Sequence, residues 1–205
     1  MVYFEPYDFL IGVGLLALLL PVIWWRKRNF SYLLFFSLFW LYGLAVVQAV
    51  IFHFVINTSD TAAGFAPSIN LIPFYFGECF TYLPALCIRG IAENILLTIP
   101  CGFGINFLTT LRPRAVFWLA LAVGVGFELA QLCISLLFHS GFRAVDINDA
   151  MLNAAGFCLG YAAFRAFAWG YISLIEHFRF KPKWLFADIF NIVIQAHPAD
   201  KAKKA

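Results

Sequence analysis

Charge is what this chain has least of. Of its 205 residues only 12% are Asp, Glu, Lys or Arg, while 63% are hydrophobic, and the mean hydropathy is +0.85. No soluble domain of this length needs so much apolar surface, so the chain reads as an integral membrane protein. The net charge of +3 is modest and no nucleic-acid signature accompanies it. Internal repeats are missing, which speaks against the inverted halves of alternating-access transporters. A basic n-region is missing too. Glu5 and Asp8 precede the first apolar run, so a cleavable signal peptide is not expected. There is no P-loop, no haem motif and no Ser-His-Asp arrangement, and no cofactor is named by any motif. His53, His139, His177 and His197 show no metal-ligand spacing and suit interfacial positions.

Apolar helix is what the chain has in abundance. Spans are predicted over Phe9–Trp25, Phe30–Val55, Ile91–Leu111, Ala115–Phe138 and Ala150–Leu174, most of them near the ~20 residues that a bilayer crossing needs. The fold class expected is an all-α polytopic membrane bundle. Its 25 Phe residues fit lipid-facing and helix-packing surfaces. Lys and Arg in short loops mark the cytoplasmic side. Arg26, Lys27 and Arg28, then Arg112 and Arg114, then Arg179, Lys181, Lys183, Lys201, Lys203 and Lys204 all fall on one side. Glu5, Asp8, Asp60 and Glu78 fall on the other, with only Arg89 and Arg143 as cations. The N-terminus is therefore expected outside and the C-terminus inside.

Four units follow: two N-terminal helices over 1–56, an outer loop over 57–88, a three-helix core over 89–175 and a basic cytoplasmic tail over 176–205. Ile69–Ile88 is apolar enough to imitate another span. It contains Pro73, Gly77, Glu78 and Pro84, and only Arg89 and Gly90 separate it from the next span. It reads as an interfacial or re-entrant outer segment, whose backbone must be covered by protein or water. In the tail, Leu185, Ile189 and Val193 recur every four residues, with Asp188, Asn191 and Gln195 opposite. This predicts an amphipathic helix, either on the cytoplasmic leaflet or packed on the bundle.

Polar residues stand where lipid should forbid them. A carboxylate in hydrocarbon costs several kcal/mol unless paired, solvated or neutralised. Arg89, Glu93 and Asn94 begin the third span, and Arg89 and Glu93, four apart, can pair. Glu128 and Gln131 share a face of the fourth span, with Glu128 roughly 15 Å above its inner end. Asp146, Asp149 and Asn153 form one narrow stripe at the outer start of the fifth. All lie at similar depth in the outer half, which points to one shared site. Glu128 is the candidate general base or proton carrier, and Asp146 and Asp149 would position substrate or a hard divalent cation. Arg143 and Arg89 suit phosphate or carboxylate. Glu93, Asn94, Gln131 and Asn153 would orient the groups. An internal network that merely fixes helix packing is the competing reading.

Gly156 and Gly160 on the fifth span, Gly124 and Gly126 on the fourth, and Gly102 and Gly104 on the third permit close helix approach. Pro100 frees the Leu96 carbonyl, which Thr98 could serve or which could face the cavity. Gln48 could face the site or pack between helices. Cys101, Cys133 and Cys158 lie in spans as small apolar residues. Cys79 and Cys87 share the outer loop, and an oxidising compartment would allow a disulfide, which spacing alone leaves open.

Four pieces in this order resemble the VanZ-like family of small bacterial membrane proteins, named for a teicoplanin-resistance factor. They are Asn70-Leu71-Ile72-Pro73-Phe74, then Glu93 through Gly102 (ENILLTIPCG), then Glu128-x-x-Gln131, and last Arg143-x-x-Asp146-x-x-Asp149-x-x-x-Asn153-x-x-Gly156-x-x-x-Gly160. They cover about half the chain, roughly Ser68 to Phe164. Cys101 stands where a Phe is usual, and Ala154 where a Thr often follows the motif Asn. The resemblance implies a multi-pass protein of the bacterial cytoplasmic membrane. Membrane lipids, and a lipid-linked cell-wall precursor or lipoglycopeptide, are its implied partners. The function expected is an outward-facing polar site that binds or modifies an anionic cell-envelope molecule. A small proton-coupled transporter or flippase, and a non-catalytic accessory protein, are the alternatives.

Overall fold

The computed structural model describes residues 6–51, 69–138 and 145–196. In chain order these form α1 (Pro6–Lys27), α2 (Phe30–Ile51), β1 (Ile69–Asn70), α3 (Cys79–Tyr82), α4 (Pro84–Gly104), α5 (Pro113–Phe138), β2 (Val145–Asp146), α6 (Ile147–Phe178) and α7 (Leu185–Ala196). Five helices, α1, α2, α4, α5 and α6, are long and apolar enough to cross a membrane. An all-α bundle results, and Ile69–Tyr82 supplies no sixth span.

Helix boundaries differ most from expectation in the third and fifth spans. The third span starts at Pro84 rather than Ile91, because Pro is at home in the first turn, where its missing N–H needs no partner. The same helix ends at Gly104 in a 3-10 turn, Ile105–Phe107, short of Leu111. The fifth span is longer at both ends than Ala150–Leu174, closing at Arg179 in the left-handed region.

The centre of the bundle is the seam between α4 and α6. Gly156 lies against the Ile95 carbonyl, Gly160 against Ile99, and Gly102 against Phe157, and a β-carbon at any of them would collide with that backbone. The first two pairs rise together, four residues on each helix, so α4 and α6 run parallel. In lipid, where apolar burial drives little, such close backbone contact is a main source of helix association. Gly124 does the same for α5, against the Ala150 carbonyl. Gly126 meets nothing, and Gly104 meets only the Phe39 ring. Beyond its contact at Gly124, α5 runs on to Phe138, about 20 Å, while α6 starts only three residues before Ala150. The start of α6 is thus sunk roughly three helical turns below the end of α5.

Around this seam Phe157 and Phe164 are fully buried, the first with Val116 and Ala120, the second with Ala168 and Val193 of α7. The helix α1 is held to α2 where Trp40 Nε1 donates to the Gly12 carbonyl at 2.9 Å. The tail helix α7 packs on the bundle. Ser31 Oγ donates to Asp188 Oδ2 at 2.6 Å, and the Arg165 guanidinium donates to the Ala196 carbonyl at its end.

Candidate functional site

The site is built from the start of α6. Asp146 is the N-cap, with φ −124° and ψ 121°, and its Oδ1 accepts from Asn148 N at 2.8 Å. The same oxygen accepts from Asn148 Nδ2 at 2.9 Å and from Asn70 Nδ2 at 3.0 Å. Each of these amides uses its other N–H on one acceptor, the Tyr75 carbonyl, at 3.0 Å from Asn70 and 2.9 Å from Asn148. Asn148 Oδ1 accepts from Phe74 N at 2.5 Å, and Asn70 Oδ1 from Ile72 N at 3.1 Å. The strands β1 and β2 pair in parallel, Asn70 opposite Asp146. Glu128, only 5% exposed on α5, accepts from Asp146 N through Oε2 at 2.9 Å.

The turn that this knot holds is itself constrained. Tyr75 N donates to the Ile72 carbonyl, Pro73 takes the second place and Phe74 the third, at φ 63°. That is the pattern of a type II turn, whose third residue is best a glycine. Phe74 sits there because Asn148 holds its N–H.

Beside the knot lies a cavity of about 900 Å³. Its wall includes Ala49 and Val50 of α2, Arg89, Glu93, Asn94, Leu96 and Leu97 of α4, Phe127 and Gln131 of α5, Asp146, and Asp149 and Asn153 of α6. Among these described residues three carboxylates, Glu93, Asp146 and Asp149, stand against one guanidinium, Arg89. Arg89 Nε lies 2.6 Å from Glu93 Oε1, at an exposed rim. At the floor Thr98 donates through Oγ1 to the Asn153 carbonyl at 2.7 Å, tying α4 to α6. The Asn153 side chain is buried, and its Oδ1 has no hydrogen-bond partner among the described residues. The wall is thus rich in acceptors, and one of them is open.

Arg89, Glu93, Asn94, Gln131, Asp146, Asp149 and Asn153, singled out in the sequence, all reach this wall. Glu128 does not line it and stands behind Asp146. Arg143 lies outside the described residues. Gln48 is exposed and off the wall, and the Thr98 hydroxyl proton goes to Asn153 rather than to Leu96. Cys79 and Cys87 are joined in a disulfide that ties α3 to the first turn of α4. Asn148, 2% exposed and central to the knot, was not singled out from the sequence. It lies off the 146/149/153 stripe, so its only sequence signal is its place beside an N-cap. No group of three or more His, Cys, Asp or Glu fit for a metal occurs among the described residues.

Five apolar spans, four of which wall a polar cavity, define a multi-pass membrane protein. The chain belongs to the VanZ/LLP1 family, whose family model matches residues 39–168, a stretch that contains the whole cavity wall. No curated protein and no solved structure matches the chain.

Proposed function

We propose that the chain takes up the polar headgroup of a lipid-linked cell-envelope molecule in this cavity, from the outward face of the bacterial cytoplasmic membrane. Charge placement supports the orientation. Arg26–Arg28, Arg112 with Arg114, and Arg179–Lys183 stand at the end of the bundle away from the cavity, where the positive-inside tendency places cytoplasm. The observation that carries the reading is Asn153 Oδ1. A buried acceptor without a partner costs about 1–3 kcal/mol, and a ligand donor removes that cost.

Roles follow from position. Asn94, Gln131, Asp149 and Asn153 meet the hydroxyl or amine donors of the headgroup. Arg89 at the rim takes its phosphate or carboxylate, and Arg143, outside the described residues, is the second cation the sequence offers for it. Glu128 and Asp146 keep the start of α6 at that depth. Protection against lipid-anchored glycopeptides, the trait for which the family is named, is the phenotype to score.

In a deletion strain, Asp149→Asn is expected to abolish protection while membrane expression stays at the wild-type level. Full protection by that variant would remove the cavity from function. Glu128→Gln keeps an acceptor for the Asp146 N–H and is expected to keep the protein in the membrane at normal level. If it nevertheless loses protection, the carboxylate itself carries the proton chemistry.

A further inference from the structure

A second cavity lies at the opposite, basic end of the bundle. It has a volume of about 320 Å³ between the start of α2, the end of α4 and the docked helix α7. Its wall is hydrophilic: Lys27, Asn29, Ser31, Tyr32, Thr109, Thr110, Asn191 and Gln195 all contribute. The helix α2 begins on this wall, with Asn29 Oδ1 accepting from Tyr32 N at 2.9 Å as its cap. Lys27 Nζ stands 5.0 Å from the Tyr32 ring centre. The one carboxylate among the described wall residues, Asp188, already accepts the Ser31 hydroxyl.

A third cavity, about 300 Å³, is almost wholly apolar and lies in the α2–α4 seam. Phe35, Leu38, Phe39 and Tyr42 form one side, and Pro100, Phe103, Gly104 and Phe107 the other. Phe35 and Phe107 belong to both cavities, and their rings meet at 4.6 Å. The two spaces therefore adjoin across this ring pair, the first hydrophilic at the basic end and the second apolar further inward. From Phe107 to Pro100 the groove runs about 10 Å along α4, two-thirds of the ~15 Å of hydrocarbon in one leaflet. A lysine, hydroxyl and amide donors and a helix N-terminus suit a phosphate, and the groove suits one acyl chain.

We propose that these two adjoining cavities bind one phospholipid of the basic-end leaflet, with its phosphate at Lys27 and one chain passing the Phe35–Phe107 pair into the groove between α2 and α4. The site is separate from the outward cavity and does not depend on its function. The test is native mass spectrometry of the purified full chain, with phosphatidylglycerol and a phosphate-free diglucosyl diacylglycerol as probes. Wild type is expected to retain one phosphatidylglycerol at least five-fold more than the glycolipid. Lys27→Gln is expected to erase that preference. Leu38→Trp, at a position 57% exposed and so safe for folding, is expected to reduce retention of both lipids about as strongly. Equal retention of the two lipids by wild type overturns the proposal, as does retention that neither variant changes. Loss in Lys27→Gln alone overturns the groove half of it.

Discussion

At the scale of the residue, Phe74 and Asn148 form the most testable pair. Phe74 holds φ 63°, a conformation that costs a bulky residue on the order of 1–2 kcal/mol. Phe74→Gly is therefore expected to raise the thermal midpoint of the detergent-purified protein by a few degrees. Asn148→Ala is expected to lower it by about 5 °C, because it strands the Phe74 N–H and removes two donors from Tyr75 and Asp146. A midpoint unchanged in both variants would show that the knot does not hold the turn. Asp146, Asp149 and Asn153 were legible in the sequence because helical periodicity sets them in one stripe. Asn148 was not, since its worth depends on loop atoms 74 residues earlier, which no local period encodes. Glu128 was picked out as a carboxylate within an apolar span, yet it lies behind the cavity wall that Gln131 reaches. That it would accept from the Asp146 backbone depended on where α6 begins, and the sequence leaves that open by several residues.

At the scale of the element, the glycine seam separates two classes of position that look alike in sequence. Gly160→Val places a side chain against the Ile99 carbonyl and is expected to cost about 3 kcal/mol, seen as loss of folded protein on detergent extraction. Gly126→Val meets open space and is expected to extract like wild type. If the two behave alike, close approach of α4 and α6 is not what holds the bundle. The existence and order of the spans were readable from hydropathy alone. Their ends were not, because Pro84 can either break a helix or begin one, and only its contacts decide. The four-residue repeat of Leu185, Ile189 and Val193 likewise announced α7. It did not say that Asp188, Asn191 and Gln195 would turn toward a cavity of the bundle rather than away from it.

At the scale of the whole molecule, orientation and the disulfide can be read in one experiment on intact cells. Cys79 and Cys87 are expected to resist a membrane-impermeant maleimide until an impermeant phosphine reduces them, and then to label. Labelling before reduction overturns the bridge, and silence after reduction overturns the outward placement. The knot that closes the site also imposes an order on biosynthesis. Asn70 and Asp146 are 76 residues apart, so the ribosome finishes the loop long before it makes the residues that secure it. Until Asp146 and Asn148 emerge, the Tyr75 carbonyl and Phe74 N–H lack these partners. The spans α4 and α5 are thus made first, and the loop is locked only when α6 follows. Nascent chains arrested before residue 145 should carry an unlatched loop, and quality-control proteases should distinguish them from chains in which α6 has been completed.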